Sequence, residues 1–148
     1  MLPDNTLFEK LTTAQLLGLL IYGEARGEPV EGQIAVACVV RNRMTKSGKP
    51  WHEVMLAPKQ FSCFNLGDPN RERLIEIAVH KGIDPAAADK ALLQCLWIAR
   101  GIVDNYLIDN TDRANHFCAV HLYESKPPTW ATPAVATVRY SGHQFFRL

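Results

Sequence analysis

Residues 12–43 read TTAQLLGLLIYGEARGEPVEGQIAVACVVRNR, two apolar runs that close on a charged knot, Glu24-Ala25-Arg26-Gly27-Glu28. Thr12-x-x-Gln15 is a capping box, with the Thr12 oxygen placed to accept from the Gln15 backbone N–H, so a helix starts there. Leu11 and Leu16 are spaced as a hydrophobic staple. Leu16, Leu17, Leu19, Leu20, Ile21 and Tyr22 are too apolar around the cylinder for a surface helix. Gly23 and Gly27 weaken the helix near its end, and Pro29 suits the first turn of a second helix. That second run, Ile34-Ala35-Val36-Ala37-Cys38-Val39-Val40, is apolar on every face, which predicts a central helix ended by Ser47-Gly48-Lys49-Pro50. The core is thus expected to be two buried helices that double back at the knot.

Outward from this pair, a short helix is expected over Trp51 to Leu56. Pro58 stops it, and a loop Gln60-Phe61-Ser62-Cys63-Phe64-Asn65 follows. Asp68-Pro69 and Asp84-Pro85 each offer Asp as N-cap and Pro at the next position, predicting helices that end near Gly82 and Gly101. After residue 110 the pattern changes. Asn115 to Ala119 reads as a short strand and Pro127-Pro128 as a loop. Val135 to Tyr140, the turn Ser141-Gly142-His143, and Gln144 to Phe146 read as a terminal hairpin. The fold class is α+β: one domain over residues 1–148, mostly helical, with a small antiparallel sheet near the C-terminus.

The 148 residues are 47% hydrophobic and 21% charged, with a formal net charge of +1, as in an ordinary globular domain. So weak a positive charge argues against sequence-independent nucleic-acid binding, which rests on many phosphate-neutralising cations. No run approaches the ~20 apolar residues of a membrane span, and MLPDNTLFEKLTTAQ lacks the positive start of a secretory signal. Cys38, Cys63, Cys95 and Cys118 match no common zinc spacing and read as buried free thiols. His116, His121 and His143 with Glu124 lack the H-E-x-x-H pattern, so no metal and no cofactor is expected.

Glu24 ends an intensely apolar helix, one residue after a glycine that would leave room for a substrate. Burial raises a carboxyl pKa by disfavouring the ion, which suits a general acid. Glu28 and Glu31 look more solvated and favourably placed near a helix N-terminus. The ordinary alternative stands beside this one: glutamates at helix ends commonly cap or pair, and Arg26 is within sequence reach of both Glu24 and Glu28.

Ile21-Tyr22-Gly23-Glu24-Ala25-Arg26-Gly27-Glu28-Pro29, Glu31 to Ala37 and Asn42-Arg43 resemble the cell-wall hydrolase family typified by the spore-cortex-lytic enzyme SleB. Gln60-Phe61-Ser62-Cys63, Asn115-His116-Phe117, Pro128-Thr129-Trp130 and Gly142 to Arg147 resemble its later segments, in order. The resemblance implies a lysozyme-like domain that cleaves peptidoglycan glycan strands between N-acetylmuramic acid and N-acetylglucosamine. It implies Glu24 as the catalytic acid, in the manner of a lytic transglycosylase that leaves 1,6-anhydro ends. A hydrolytic muramidase would need a second carboxylate, with Glu28 and Glu31 as the candidates.

Phe61, Phe117, Tyr123, Trp130 and Phe145 are candidate sugar-stacking aromatics, with core packing as the alternative for each. Trp130, after the two prolines, is expected to be the most exposed. Gln60, Ser62, Asn115 and His116 are candidate partners for acetamido groups. The chain departs from the family pattern at Phe64, where a tryptophan is common, at Phe117, where a tyrosine is common, and at Asp112-Arg113-Ala114-Asn115. A cysteine peptidase or amidase using Cys63 and His116 is a rival reading, as is a non-catalytic peptidoglycan-binding module. The expected setting is a monomeric phage endolysin that accumulates in the cytoplasm and acts on the wall after release.

Overall fold

The structure is a computed structural model and describes residues 2–81 and 88–148. After a one-turn helix, α1 (Thr6–Glu9), the apolar run forms α2 (Thr13–Ala25). Its capping box is formed in both directions: Thr12 Oγ1 accepts from Gln15 N–H, and Gln15 Oε1 accepts from Thr12 N–H. The second run forms α3 (Val30–Ser47), buried continuously from Ala35 to Val40. Pro29 is its N-cap, one position earlier than expected. Gly48 ends it in the left-handed conformation, φ 73°, which costs a glycine little.

α4 (Trp51–Leu56) and α5 (Pro69–Glu76) follow, the latter capped by the Asp68 carboxylate on Asn70 N–H. The expected helix end at Gly82 and start at Asp84-Pro85 lie outside the described residues. The next helix, α6 (Lys90–Val103), starts later than the expected Asp84-Pro85: Asp89, with extended backbone, is its N-cap and accepts from Leu92 N–H. It passes through Gly101 rather than ending there. The Gly101 carbonyl accepts from both Tyr106 and Leu107 N–H, which folds Leu107 back to 2.8 Å from where a Cβ on Gly101 would stand. α2 packs along α6 and against α3, and these three helices carry most of the core. Among the described residues, no helix is long and apolar enough to cross a membrane.

The sheet is antiparallel in the order β1-β3-β2, from β1 (His116–Ala119), β2 (Ala136–Tyr140) and β3 (His143–Phe146). His143 is not in the turn, as expected, but opens β3, paired with Tyr140 and Ala119. The reversal is made by Ser141, at φ 46°, and Gly142. The sequence pattern also missed α7 (Val120–Ser125), which fills the connection from β1 to the prolines.

Three polar anchors tie the sheet to the helices. Asn42 Nδ2 donates to Ala114 O (2.8 Å), Arg43 Nε to Asn115 O (2.7 Å) and Tyr140 Oη to Asn110 O (2.6 Å). At the knot, Gln33 Nε2 donates to Ala25 O (3.1 Å) while Gln94 donates to Gln33 Oε1 (2.7 Å). A buried side-chain amide thus gives a second donor to a carbonyl at the end of α2 that also accepts from Glu28 N–H (2.9 Å).

Gly23 is buried in the last turns of α2. A Cβ there would stand 2.6 Å from Cys63 Cβ and 2.9 Å from its Sγ. The space that the glycine leaves is filled by the short helical turn Ser62–Phe64, not by substrate. Arg71, itself buried, holds that turn by donating to Phe64 O (2.7 Å) and, on its other side, to Asp4 O (2.8 Å). Gly23→Ala is expected to destabilise the fold by about 1–3 kcal/mol through overpacking. Urea unfolding would measure this, with little change in the denaturant slope.

Candidate active site

Glu24 lies in the last turn of α2, half-buried rather than fully buried. The Ser62–Phe64 turn faces it, and Ser62 Oγ donates to Glu24 Oε2 at 3.1 Å. Desolvation pushes its carboxyl above the ordinary value of 4.5, and the negative charge of Asp68 adds to this; the Ser62 hydroxyl and the backbone N–H groups of Ser62 and Cys63 pull the other way. The group can thus hold a proton in a partly dry setting and still find donors once it has lost it.

Arg26 does not take up that charge. It turns back along α2, donating to Tyr22 O at 3.0 Å and lying 4.9 Å over the Tyr22 ring. Among the described residues it forms no ion pair with Glu24 or Glu28. The cation that matters is Arg43, at the exit of α3. Its guanidinium lies 4.8 Å over the Phe61 ring, donates to Asn115 O and to Gln60 Oε1 (3.2 Å), and feels the charge of Glu24. The sequence placed Arg43 in a family-like block where the second helix leaves the core, with no role assigned to it. Its signal was position, a cation where a wholly apolar helix leaves the core.

The two candidate second carboxylates separate. Glu28 lines the same cleft of about 350 Å³ as Glu24, together with Asn70 and His143. Its Oε1 accepts from Gly142 N–H at 2.9 Å and lies 3.7 Å from His143 Nδ1, so it clasps the hairpin turn. Burial lowers the His143 pKa, against the pull of Glu28. Glu31 is exposed in the first turn of α3 and does not line that cleft; its backbone carbonyl accepts from Asn110 Nδ2 (3.0 Å).

A larger cavity, of about 750 Å³, does not include Glu24. It opens beyond Arg43 and Gln60 and reaches Asn115 and His116. Gln60, which lines this cavity, stands two residues before Ser62, which faces Glu24, so one short segment joins the cavity to the carboxyl. His116 is half-buried, with Nδ1 2.9 Å from Asn115 Oδ1. Desolvation, then Arg43 and Lys46, lower its pKa to about 4. It is neutral near pH 7. Asn115 Oδ1 also accepts from Leu148 N–H, so the ring donates from Nδ1 and keeps Nε2 as an acceptor.

The aromatic candidates are mostly packing. Phe61 is 1% exposed and lies under Arg43, so it supports the cation and offers no face to a sugar. Trp130 is half-buried, not the open platform expected, because it packs on His116 (4.9 Å) and edge-on to Phe146 (5.3 Å). Tyr123 packs on Phe146 as well (5.2 Å). Phe117 lies between His143 and Phe145. Phe117, Tyr123 and Trp130 line neither hollow. Cys63 is fully buried, and burial first, then Glu24, hold its thiol well above the ordinary value. That is the reverse of what a thiolate nucleophile requires.

A helical domain with a small antiparallel sheet alongside has counterparts of known structure. The catalytic domain of the germination-specific lytic transglycosylase SleB from Bacillus anthracis superposes with a TM-score of 0.61 at 21% identity, covering 99% of this chain and 100% of that one. That likeness establishes the fold. Residues 27–146 match the Cell Wall Hydrolase family, and the chain belongs to it. Glu24 stands just ahead of that span. The spore cortex-lytic enzyme of Oceanobacillus iheyensis is 38% identical over 81 residues, 49% of this chain and 29% of that protein. That of Bacillus cereus is 53% identical over 51 residues, 33% of this chain and 20% of that protein. The matched segments span less than a third of these relatives.

The raised Glu24 pKa has a stability consequence. The folded state holds this proton more tightly than the unfolded chain does. The contribution is fully present below about pH 4.5 and is lost as pH rises through the folded pKa. Glu24→Gln removes the effect. Thermal melts from pH 4 to 8 should therefore show the variant gaining on the wild type as pH rises.

Proposed function

We propose that this domain cleaves the β-1,4 bond between N-acetylmuramic acid and N-acetylglucosamine in peptidoglycan, as a lytic transglycosylase. The observation that carries the reading is the half-buried Glu24 carboxyl, raised in pKa and faced by the Ser62 turn, in a chain of the cell wall hydrolase family. The activity named for the Bacillus anthracis structural relative supports the reaction type.

Glu24 starts protonated and gives its proton to the glycosidic oxygen as the bond to the muramic C1 breaks. The Ser62 hydroxyl and the N–H groups of Ser62 and Cys63 then receive the carboxylate charge. Glu24 next takes the proton of the muramic C6 hydroxyl, whose oxygen closes on C1. The ring product is a 1,6-anhydro end, and no water is consumed. Attack by a group already on the sugar gains from proximity, so one carboxyl suffices. Glu28, clasped to the hairpin turn, shapes the cleft in this reading.

Glu24→Gln should lower turnover on purified peptidoglycan by ~10²–10⁴-fold while the fold is kept. Wild-type activity in that variant would sink the assignment. Glu28→Gln keeps an acceptor for Gly142 N–H and removes only the charge, so its rate should stay within several-fold of wild type. A loss as deep as that of Glu24→Gln would instead mark Glu28 as a second catalytic carboxylate. Mass spectrometry of the wild-type digest should show anhydro-muramic ends that resist borohydride reduction; reducing muramic ends would mean hydrolysis.

A further inference from the structure

The larger cavity is unlike the cleft at Glu24 in its chemistry. Its rim carries Arg43, Lys46 and Lys49 against one anion, Glu53. Its wall is apolar, formed by side chains such as Val54 and Pro58. The volume, about 750 Å³, is in the range of small-ligand sites, ~300–1,000 Å³.

The cations are not equally free. Arg43 already donates to Asn115 O and Gln60 Oε1. Lys46 donates one hydrogen bond, to Leu148 O at 2.6 Å, and an ammonium has three to give. Lys49 meets Glu53 only at 3.9 Å, with both side chains more than half exposed; such a pair is weak and easily rearranged. Neutral His116 brings no further charge to the wall. The cavity thus offers two available ammonium groups beside an apolar surface, and its Gln60 stands two residues from the Ser62 that faces Glu24.

We infer that this cavity receives the peptide stem carried by the muramic acid, with Lys46 and Lys49 reading the stem's carboxylates and the apolar wall receiving its alanine methyl groups. This deepens the glycan-cleaving reading and rests on it. Charge complementarity selects an anionic occupant, and the apolar wall favours a peptide over a polyphosphate. The position selects a substituent that leaves the glycan beside the scissile bond.

The test compares kcat/KM on three substrates prepared free of phosphate-containing wall polymers. They are glycan strands with free-acid stems, the same strands with stem carboxylates amidated, and strands stripped of stems by an amidase. Wild type is expected to prefer free-acid stems over stripped strands by roughly fivefold, two exposed ion pairs' worth. Amidated stems should lose most of that preference. In Lys46→Gln/Lys49→Gln the ratio should fall toward one, and in wild type it should shrink as salt rises. Should the double variant fail to fold, Lys49→Gln alone must lower the ratio.

A wild-type ratio near one, or a ratio unchanged in the variants, overturns the stem assignment while leaving glycan cleavage intact. Failure of wild type to cleave any of the three strands counts against the glycan-cleaving reading itself. If added poly(glycerol phosphate) abolishes the preference of wild type but not that of a control lysozyme, the cavity takes phosphate and the peptide assignment is wrong.

Discussion

The site depends on a contact in which no polar atom takes part. The turn Ser62–Phe64 lies so close to α2 that only a residue without a Cβ fits at position 23. That approach sets the Ser62 hydroxyl and the N–H groups of Ser62 and Cys63 against the Glu24 carboxyl. A side chain at position 23 would force the turn and α2 apart. Arg71 secures the turn from behind, through Phe64 O and Asp4 O. Close packing thus fixes the electrostatics, because interiors at crystal-like density transmit displacements instead of absorbing them.

Glu24 is balanced between opposing influences. Burial disfavours its ion, while three donors on the facing turn favour it. The end of α2 adds a negative dipole end, which offers the carboxylate nothing. A group so placed can part with a proton and take one back, because neither charge state is stranded. The same fold keeps other candidates quiet. The Cys63 thiol is held in its neutral form by the apolar packing that positions its neighbour Ser62. Glu28 is engaged by Gly142 N–H, and the Phe61 face is covered by Arg43.

Much of the architecture is legible in the sequence. The capping box at Thr12, the helix over Trp51–Leu56, the Asp68-Pro69 start and the three short strands all follow from local rules. These rules need only neighbours within a few residues. Some misreadings have the opposite character. α6 ends two residues past Gly101, close to where it was expected, but the return of the chain that places Leu107 over that glycine is not a local property. Trp130 looked exposed after two prolines, because its partners His116 and Phe146 are distant in sequence. His143 looked like a turn residue, because strand register is set by partners on both sides.

By itself the sequence determined which segments are buried, where most helices start, and which carboxyl ends an apolar helix. It did so because burial and capping are written in residue type and spacing over one or two turns. The tertiary structure alone decided that Ser62 faces Glu24, that Glu28 holds a hairpin more than a hundred residues away, and that Glu31 stays outside the cleft. It also decided that Lys46 and Lys49 rim a cavity beside Arg43. These are meetings of side chains from separate elements. Their distances come from how helices and sheet pack, a property of the whole core that no short stretch encodes.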